Sequence, residues 1–154
     1  MKELSYEGVP SGSKHETFQE LSERGFSLIP VQGKRPRERG WTRWCSTYRP
    51  FDEIDFMPGD NAGITCGPAS GIIVIDVDDP GLFEETCEEK DWIIPRTLTV
   101  RTGNDGFHYY FKYPEDGKKY GNRSFNGYGF DIRGEGGMVV APGSIHPDTG
   151  KEYV

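Results

Sequence analysis

The stretch GIIVIDVDDPG, residues 71 to 81, decides how this chain is read. Its β-branched apolar run reads as a strand, and that strand ends in three carboxylates, Asp76, Asp78 and Asp79, within four positions. Side chains alternate across a strand, so Asp76 and Asp78 share one face while Ile75 and Val77 turn to the other, toward a core. Two carboxylates spaced this way on a rigid strand end suit a hard divalent cation, Mg²⁺ or Mn²⁺, that takes oxygen ligands. The alternative is a plain βα turn whose acids are merely solvated. Asp79, followed by Pro80, has the signature of a helix N-cap with proline in the first helical turn.

Outward from this strand, PGLFEETCEEK, residues 80 to 90, predicts an amphipathic helix with Leu82, Phe83 and Cys87 as its apolar stripe and a solvated run of glutamates opposite. TLTVRTGNDGFHYYFKY, residues 97 to 113, predicts a β-hairpin turning at Gly103 to Gly106. Alternation puts His108, Tyr110 and Lys112 on one face and Phe107, Tyr109, Phe111 and Tyr113 on the other. His108 opens its strand directly after a glycine turn whose backbone N–H groups could cradle a phosphate. Residues 114 to 128 read as a mobile polar connection. GFDIRGEGGMVVAPGS, residues 129 to 144, predicts a second hairpin around the GEGG turn, with Asp131 and Arg133 on one face. Asp131 lies between Phe130 and Ile132, an environment in which a carboxylate needs a cation.

Upstream, residues 1 to 12 read as a flexible arm, and residues 13 to 154 as one catalytic domain. Ser13 and Glu16 form a capping box, Phe18 and Leu21 an apolar pair, and Gly25 a stop, predicting a helix over 14 to 24. FSLIPV, residues 26 to 31, reads as a buried strand, residues 51 to 60 as a short helical turn, residues 61 to 67 as a strand, and the residues up to Val154 as an edge strand. Between them, residues 34 to 49 concentrate Lys34, Arg35, Arg37, Arg39, Arg43 and Arg49 around Trp41 and Trp44, with Glu38 the only acid. Cations interleaved with indoles suit the backbone and bases of a single strand or primer-template. The alternative is a solvated loop whose tryptophans pack inward.

At 154 residues the chain is long enough for one domain with a proper core, and 21 glycines with 11 prolines favour short strands and turns over a helical bundle. The net charge of −7 does not by itself point to a polyanion partner, but acids loaded with metal ions, or a local basic patch, can supply what net charge hides. Cys45, Cys66 and Cys87 lie far apart, which argues against a disulfide framework and a structural zinc site. No signal peptide and no membrane-length apolar run are evident, so the expected location is cytoplasmic and no membrane contact is expected. A GxxxxGKS loop, HExxH and GxSxG are all absent.

Taken together, GKRPRERGW, NAGITCGPASGIIVIDVDD, TLTVRTGNDGFHYYF and FDIRGEGGMVVAPGSIHP resemble the bifunctional DNA primase/polymerase (prim-pol) domain of the archaeo-eukaryotic primase superfamily, often carried by mobile elements. The resemblance runs from about Phe18 to Tyr153, with the motifs in the family's order. It implies that the Asp-x-Asp motif falls on Asp76 and Asp78, the triphosphate-contacting histidine on His108 and the third acid on Asp131. Arg133, Thr102 and Asn104 are implied as further nucleotide contacts. Where the superfamily often has Ser-x-His, this chain has Gly106, Phe107, His108; where relatives often read PPS, it has Ala141, Pro142, Gly143, Ser144.

The fold implied is α+β (or α/β): a mixed, mainly antiparallel sheet with flanking helices, like the RRM-like archaeo-eukaryotic primase core, with the acids in a cleft. The function implied is template-directed nucleotidyl transfer with two Mg²⁺ or Mn²⁺ ions, a DNA template and primer, and NTP or dNTP substrates. Lys34, Arg35, Arg37, Arg39, Trp41, Arg43 and Trp44 are the candidate nucleic-acid contacts. Many relatives continue into a helical or helicase region that helps priming, so extension is expected of this piece ahead of de novo initiation. A metal-dependent nuclease, a catalytically silent nucleic-acid-binding module and a purely structural domain are the competing classes.

Overall fold

The computed structural model describes residues 1–4 and 13–154. Helix α1 spans Lys14–Glu23, and the Ser13 side chain caps it by accepting from the Glu16 N–H at 3.2 Å. Strands β1 (Leu28–Gln32) and β2 (Arg35–Pro36) form a hairpin around Gly33, and β3 (Asn61–Thr65) pairs with β1 on its other side. Strand β4 (Ile72–Val77) leads into α2 (Pro80–Lys90), whose N-cap Asp79 accepts from the Leu82 N–H at 3.1 Å. Such a cap is worth about 1 kcal/mol. Strands β5 (Thr99–Arg101), β6 (Phe107–Lys112), β7 (Arg123–Phe125), β8 (Phe130–Arg133) and β9 (Met138–Val140) follow.

The strands form two antiparallel sheets, ordered β2-β1-β3-β9 and β5-β6-β4-β8-β7, giving a mixed α+β fold. Strand β4 lies at the centre of the larger sheet and is buried on both faces. Ile73, Ile75 and Val77 pack with Phe83 of α2, Phe111 and Phe130. Ile72 and Val74 pack with Tyr110, with Leu28 and Ile64 of the smaller sheet, and with Phe18 and Leu21 of α1. This two-sided burial explains the unbroken apolar run before Asp76. It also means that the face carrying Asp76 looks toward the second sheet.

Three expectations need correction. Strands β8 and β9 are not a hairpin: β8 pairs with β4 and β7, β9 with β3. The Gly134 to Gly137 turn, closed by Gly137 N–H donating to Gly134 O at 2.9 Å, carries the chain from one sheet to the other. Residues 114 to 128 contain β7 and a 3₁₀ helix over Asn126–Tyr128, because the Arg123–Phe125 backbone finds partners along β8. The start of the N-terminal arm is docked: Lys2 O accepts from Lys112 N–H and Leu4 N–H donates to Thr97 Oγ1, each at 2.9 Å. Most of that arm, residues 5 to 12, lies outside the described residues.

Candidate active site

Asp76 stands near the C-terminal end of β4, and antiparallel register supplies its neighbours. His108 of β6 is its Cα partner on one side and Asp131 of β8 on the other. Directly opposed residues point to the same face of a sheet, so three side chains stand in a row across three strands. Asp78 lies one pleat further on, just past the strand end. One carboxylate oxygen from each of Asp76, Asp78 and Asp131 lies within 4.8 Å of the others. The row opens into a cleft of about 530 Å³ lined by residues of both sheets.

The charges in this row are arranged unequally. His108 Nε2 lies 3.3 Å from Asp76 Oδ1 and Arg133 Nε lies 3.4 Å from Asp76 Oδ2. Burial alone would push the Asp76 carboxyl up, but hydrogen bonds and charge from His108 and Arg133 outweigh it and hold Asp76 below the usual carboxylate value. Asp78 has no such partner among the described residues; burial, and then the charges of Asp76 and Asp131, push it up. Arg133 Nη2 reaches Asp131 Oδ2 only at 3.5 Å, and Asp131 Oδ1 is buried with no hydrogen-bond partner among the described residues. Contacts of 3.3 to 3.5 Å are at the outer limit of hydrogen bonding, so the carboxylates are neutralised without being tied down. Three converging hard oxygen donors, one of them orphaned, fit a divalent cation.

The family model for the bifunctional DNA primase/polymerase N-terminal domain matches residues 19–154. The chain belongs to this family. Its members are nucleotidyltransferases of the DNA primase/polymerase type. A search of the curated proteins finds no match. No helix among the described residues is long and apolar enough to cross a membrane.

In this primase/polymerase domain, Thr102 and Asn104 line the same cleft as Asp76, Asp78, His108 and Arg133. Thr102 Oγ1 accepts from the Gly106 N–H at 2.9 Å, which ties the turn before His108 and uses the amide that could have replaced a serine hydroxyl. The lack of a side chain at Gly106 has a steric reason in this fold. A Cβ at Gly106 would lie 2.3 Å from Val77 O, so no side chain fits where β6 begins against the end of β4. Gly143 adopts φ +87° against Thr17 of α1, a conformation closed to proline.

The basic segment divides. Lys34 and Trp41 line the cleft. Arg35, Arg39 and Arg43 are exposed. Arg37 instead makes a 2.8 Å ion pair with buried Asp60 and also donates to Asp55 O at 2.6 Å. Arg49, itself buried, is held by both carboxylate oxygens of Glu38, and this bond first of all holds Glu38 below its ordinary value. The Arg43 and Arg49 guanidiniums sit 4.8 and 5.0 Å from the Trp44 ring centre, and Trp44 O accepts from Thr65 Oγ1 at 2.8 Å. Trp44 is therefore engaged by its own chain, and Trp41 is the indole of the cleft.

The cleft also contains residues that the sequence does not single out: Asn122, His146 and Tyr153. Tyr153 stacks on His108 at 6.3 Å and on His146 at 6.1 Å between ring centres. Burial, and then the charges of Asp76 and Asp148, push its phenol up to about 12, so its hydroxyl keeps its proton near neutrality. The signal was weak, because His146 followed by PDTG reads as a turn.

Proposed function

We propose that this domain adds nucleotides to a primer 3′-hydroxyl under the direction of a DNA template, using two divalent ions on Asp76, Asp78 and Asp131. The observation that carries this assignment is the strand register, which aligns Asp131, Asp76 and His108 across three neighbouring strands at the mouth of one cleft. Ions bound there would lower the pKa of the attacking hydroxyl and offset charge on the triphosphate of NTP or dNTP substrates.

The chain's own residues then have separable tasks. Asp76 and Asp131 hold fixed positions because strands hold them, and Asp78 adds the third ligand from just past the end of β4, where its N–H donates to Gly129 O at 3.2 Å. His108 and Arg133 balance negative charge at the phosphates, with Arg133 released from its long contacts to the acids. Thr102 and Asn104 line the path of the nucleotide. Exposed Arg35, Arg39 and Arg43, with Trp41, receive the template or primer strand. The setting is a cytoplasmic replication enzyme of a mobile element, with a helicase or helical region as its partner.

Extension of a labelled primer on a single-stranded template, with dNTPs or NTPs and Mg²⁺ or Mn²⁺, tests this directly. Template-dependent, metal-dependent elongation is expected. Cleavage of the labelled DNA in the absence of nucleotides would assign the same acids to a nuclease instead.

A further inference from the structure

His146 is 4% exposed, and its imidazole is oriented by backbone. Its Nδ1 accepts from the N–H groups of Asp148 at 3.1 Å and Thr149 at 3.3 Å. A ring nitrogen that accepts two amide protons carries none itself, so the imidazole's proton resides on Nε2. Nδ1 is turned to the 148–149 backbone, and Nε2–H is the donor left for the cleft that His146 lines. Among the described residues no acceptor meets it.

Lys34 belongs to the same wall. Buried Asn61 donates through Nδ2 to Gly33 O and Ile145 O, each at 2.8 Å, and its Oδ1 accepts from Ile145 N–H at 2.9 Å. A Cβ at Gly33 would sit 3.3 Å from the Pro147 ring. Asn61 thereby clamps the turn carrying Lys34 to the loop carrying His146, side by side. Among the described residues, the only acids lining the cleft are Asp76 and Asp78. Tyr153 stands between His108 and His146, so the imidazole donor lies two ring steps, of 6.3 and 6.1 Å, from the histidine that touches Asp76. The cleft thus has carboxylates beside His108 and, two ring steps away, a fixed N–H donor on the wall that also carries Lys34. That polarity matches a nucleotide whose inner phosphates are neutralised by ions on the acids and whose terminal phosphate needs cationic and N–H donors.

We infer that Lys34 and His146 form a terminal-phosphate pocket, by which the cleft prefers a nucleoside triphosphate to a diphosphate. The inference rests on the nucleotide-binding function proposed above, and it moves Lys34 from the nucleic-acid contacts to the nucleotide contacts.

Calorimetric titration of the whole chain with dATP, dADP, ATP and ADP in Mn²⁺, without DNA, tests it. The expected wild-type preference for triphosphate is roughly ten-fold or more, the scale of a lost charge-assisted contact. Lys34→Met and His146→Asn should each bring triphosphate affinity down to the diphosphate level and leave diphosphate affinity unchanged. Asparagine is chosen because its Oδ1 can accept the turn amides in place of Nδ1, while no donor remains at Nε2. Equal loss for both nucleotides would put these residues at the sugar or base and overturn the inference, as would unchanged triphosphate affinity. Wild-type protein that binds none of the four nucleotides rejects the nucleotide site as a whole, a different result from loss of the preference alone. Should His146→Asn fail to fold, exposed Lys34 decides the matter by itself.

Discussion

The three clustered carboxylates are crowded on and beside strands that cannot move apart, whereas the cations of residues 34 to 49 are spread over the short strand β2, turns and a 3₁₀ helix over Trp41–Cys45, which place them independently. In the first region, like charges are brought together: their oxygens converge within 4.8 Å and Asp131 Oδ1 finds no hydrogen-bond partner among the described residues. In the second, charges are separated and two of six are neutralised locally, Arg37 by Asp60 and Arg49 by Glu38. Crowded, under-compensated charge on rigid elements marks a place that awaits a ligand. Dispersed, compensated charge marks structure, and only the cations left over are available to a partner.

The contrast is broken most severely at the acids. Asp76→Ala and Asp131→Ala should each reduce primer extension by about a thousand-fold or more, the scale of lost ion-assisted stabilisation of the transition state. Far-UV circular dichroism should remain that of the wild type, and chelation of divalent ions should reproduce the loss. Elongation at an undiminished rate by either variant would remove that residue from the site. Arg37→Met should act on the other axis: it leaves Asp60 buried and unpaired, at a cost of about 2 to 4 kcal/mol in denaturant unfolding. DNA affinity per folded molecule should hardly change. A stable Arg37→Met protein with weakened DNA binding would reverse the assignment of Arg37 to structure.

The same contrast governs what was legible in the sequence. Strand alternation converts spacing into geometry, so Asp76, Asp78, His108 and Arg133 line one cleft, Asp131 stands opposite Asp76 in register, and α2 spans the residues expected. Which strand pairs with which is not a local property. Strands β8 and β9 are joined by a four-residue glycine turn, the pattern of a hairpin, yet each finds its partners elsewhere, β4 for one and β3 for the other. Turns obey no periodicity, so the partners of Arg37 and Arg49 could not be read from composition. His146 shows the same limit, since its donor depends on two amides of its own turn and on a clamp by Asn61, far away in sequence.

A finer difference lies within the acidic row. Asp76 is held below its ordinary value in the folded protein, so its ionised form stabilises the fold at neutral pH, and that contribution is lost as pH falls through its depressed value. Asp78 is raised, so its contribution runs the other way: present at low pH and lost as pH rises through its raised value. Metal-free Asp78→Asn should therefore melt higher than wild type at neutral pH, with the advantage shrinking in acid and on addition of Mn²⁺. Asp76→Asn should melt lower. Differential scanning fluorimetry across pH measures both, and a shift of the same sign for the two variants would show that the row acts as one undivided charge.

The smallest effect is expected from the cations left over after internal pairing. Arg35, Arg39 and Arg43 are exposed, and Arg43 also covers Trp44, which makes Arg39 the cleanest probe. A phosphate contact contributes to any sequence about equally, and its loss lowers the steepness of the salt dependence by roughly one unit. Arg39→Gln should thus weaken single-strand binding modestly at low salt, flatten the slope by about that amount, and leave dATP affinity and melting temperature untouched. Combining Arg35→Gln with Arg39→Gln should roughly double the change in slope if the two contacts are independent. Trp41→Ala separates charge from stacking, since loss of a base-stacking indole costs about 1 to 3 kcal/mol of single-strand affinity with the salt slope unchanged. If the arginine variants keep the wild-type slope, the strand does not cross residues 34 to 49. It must then approach the carboxylates past Lys118 and Lys119, where Lys119 lies 3.6 Å from Glu135, and Lys118→Gln becomes the variant that flattens the slope.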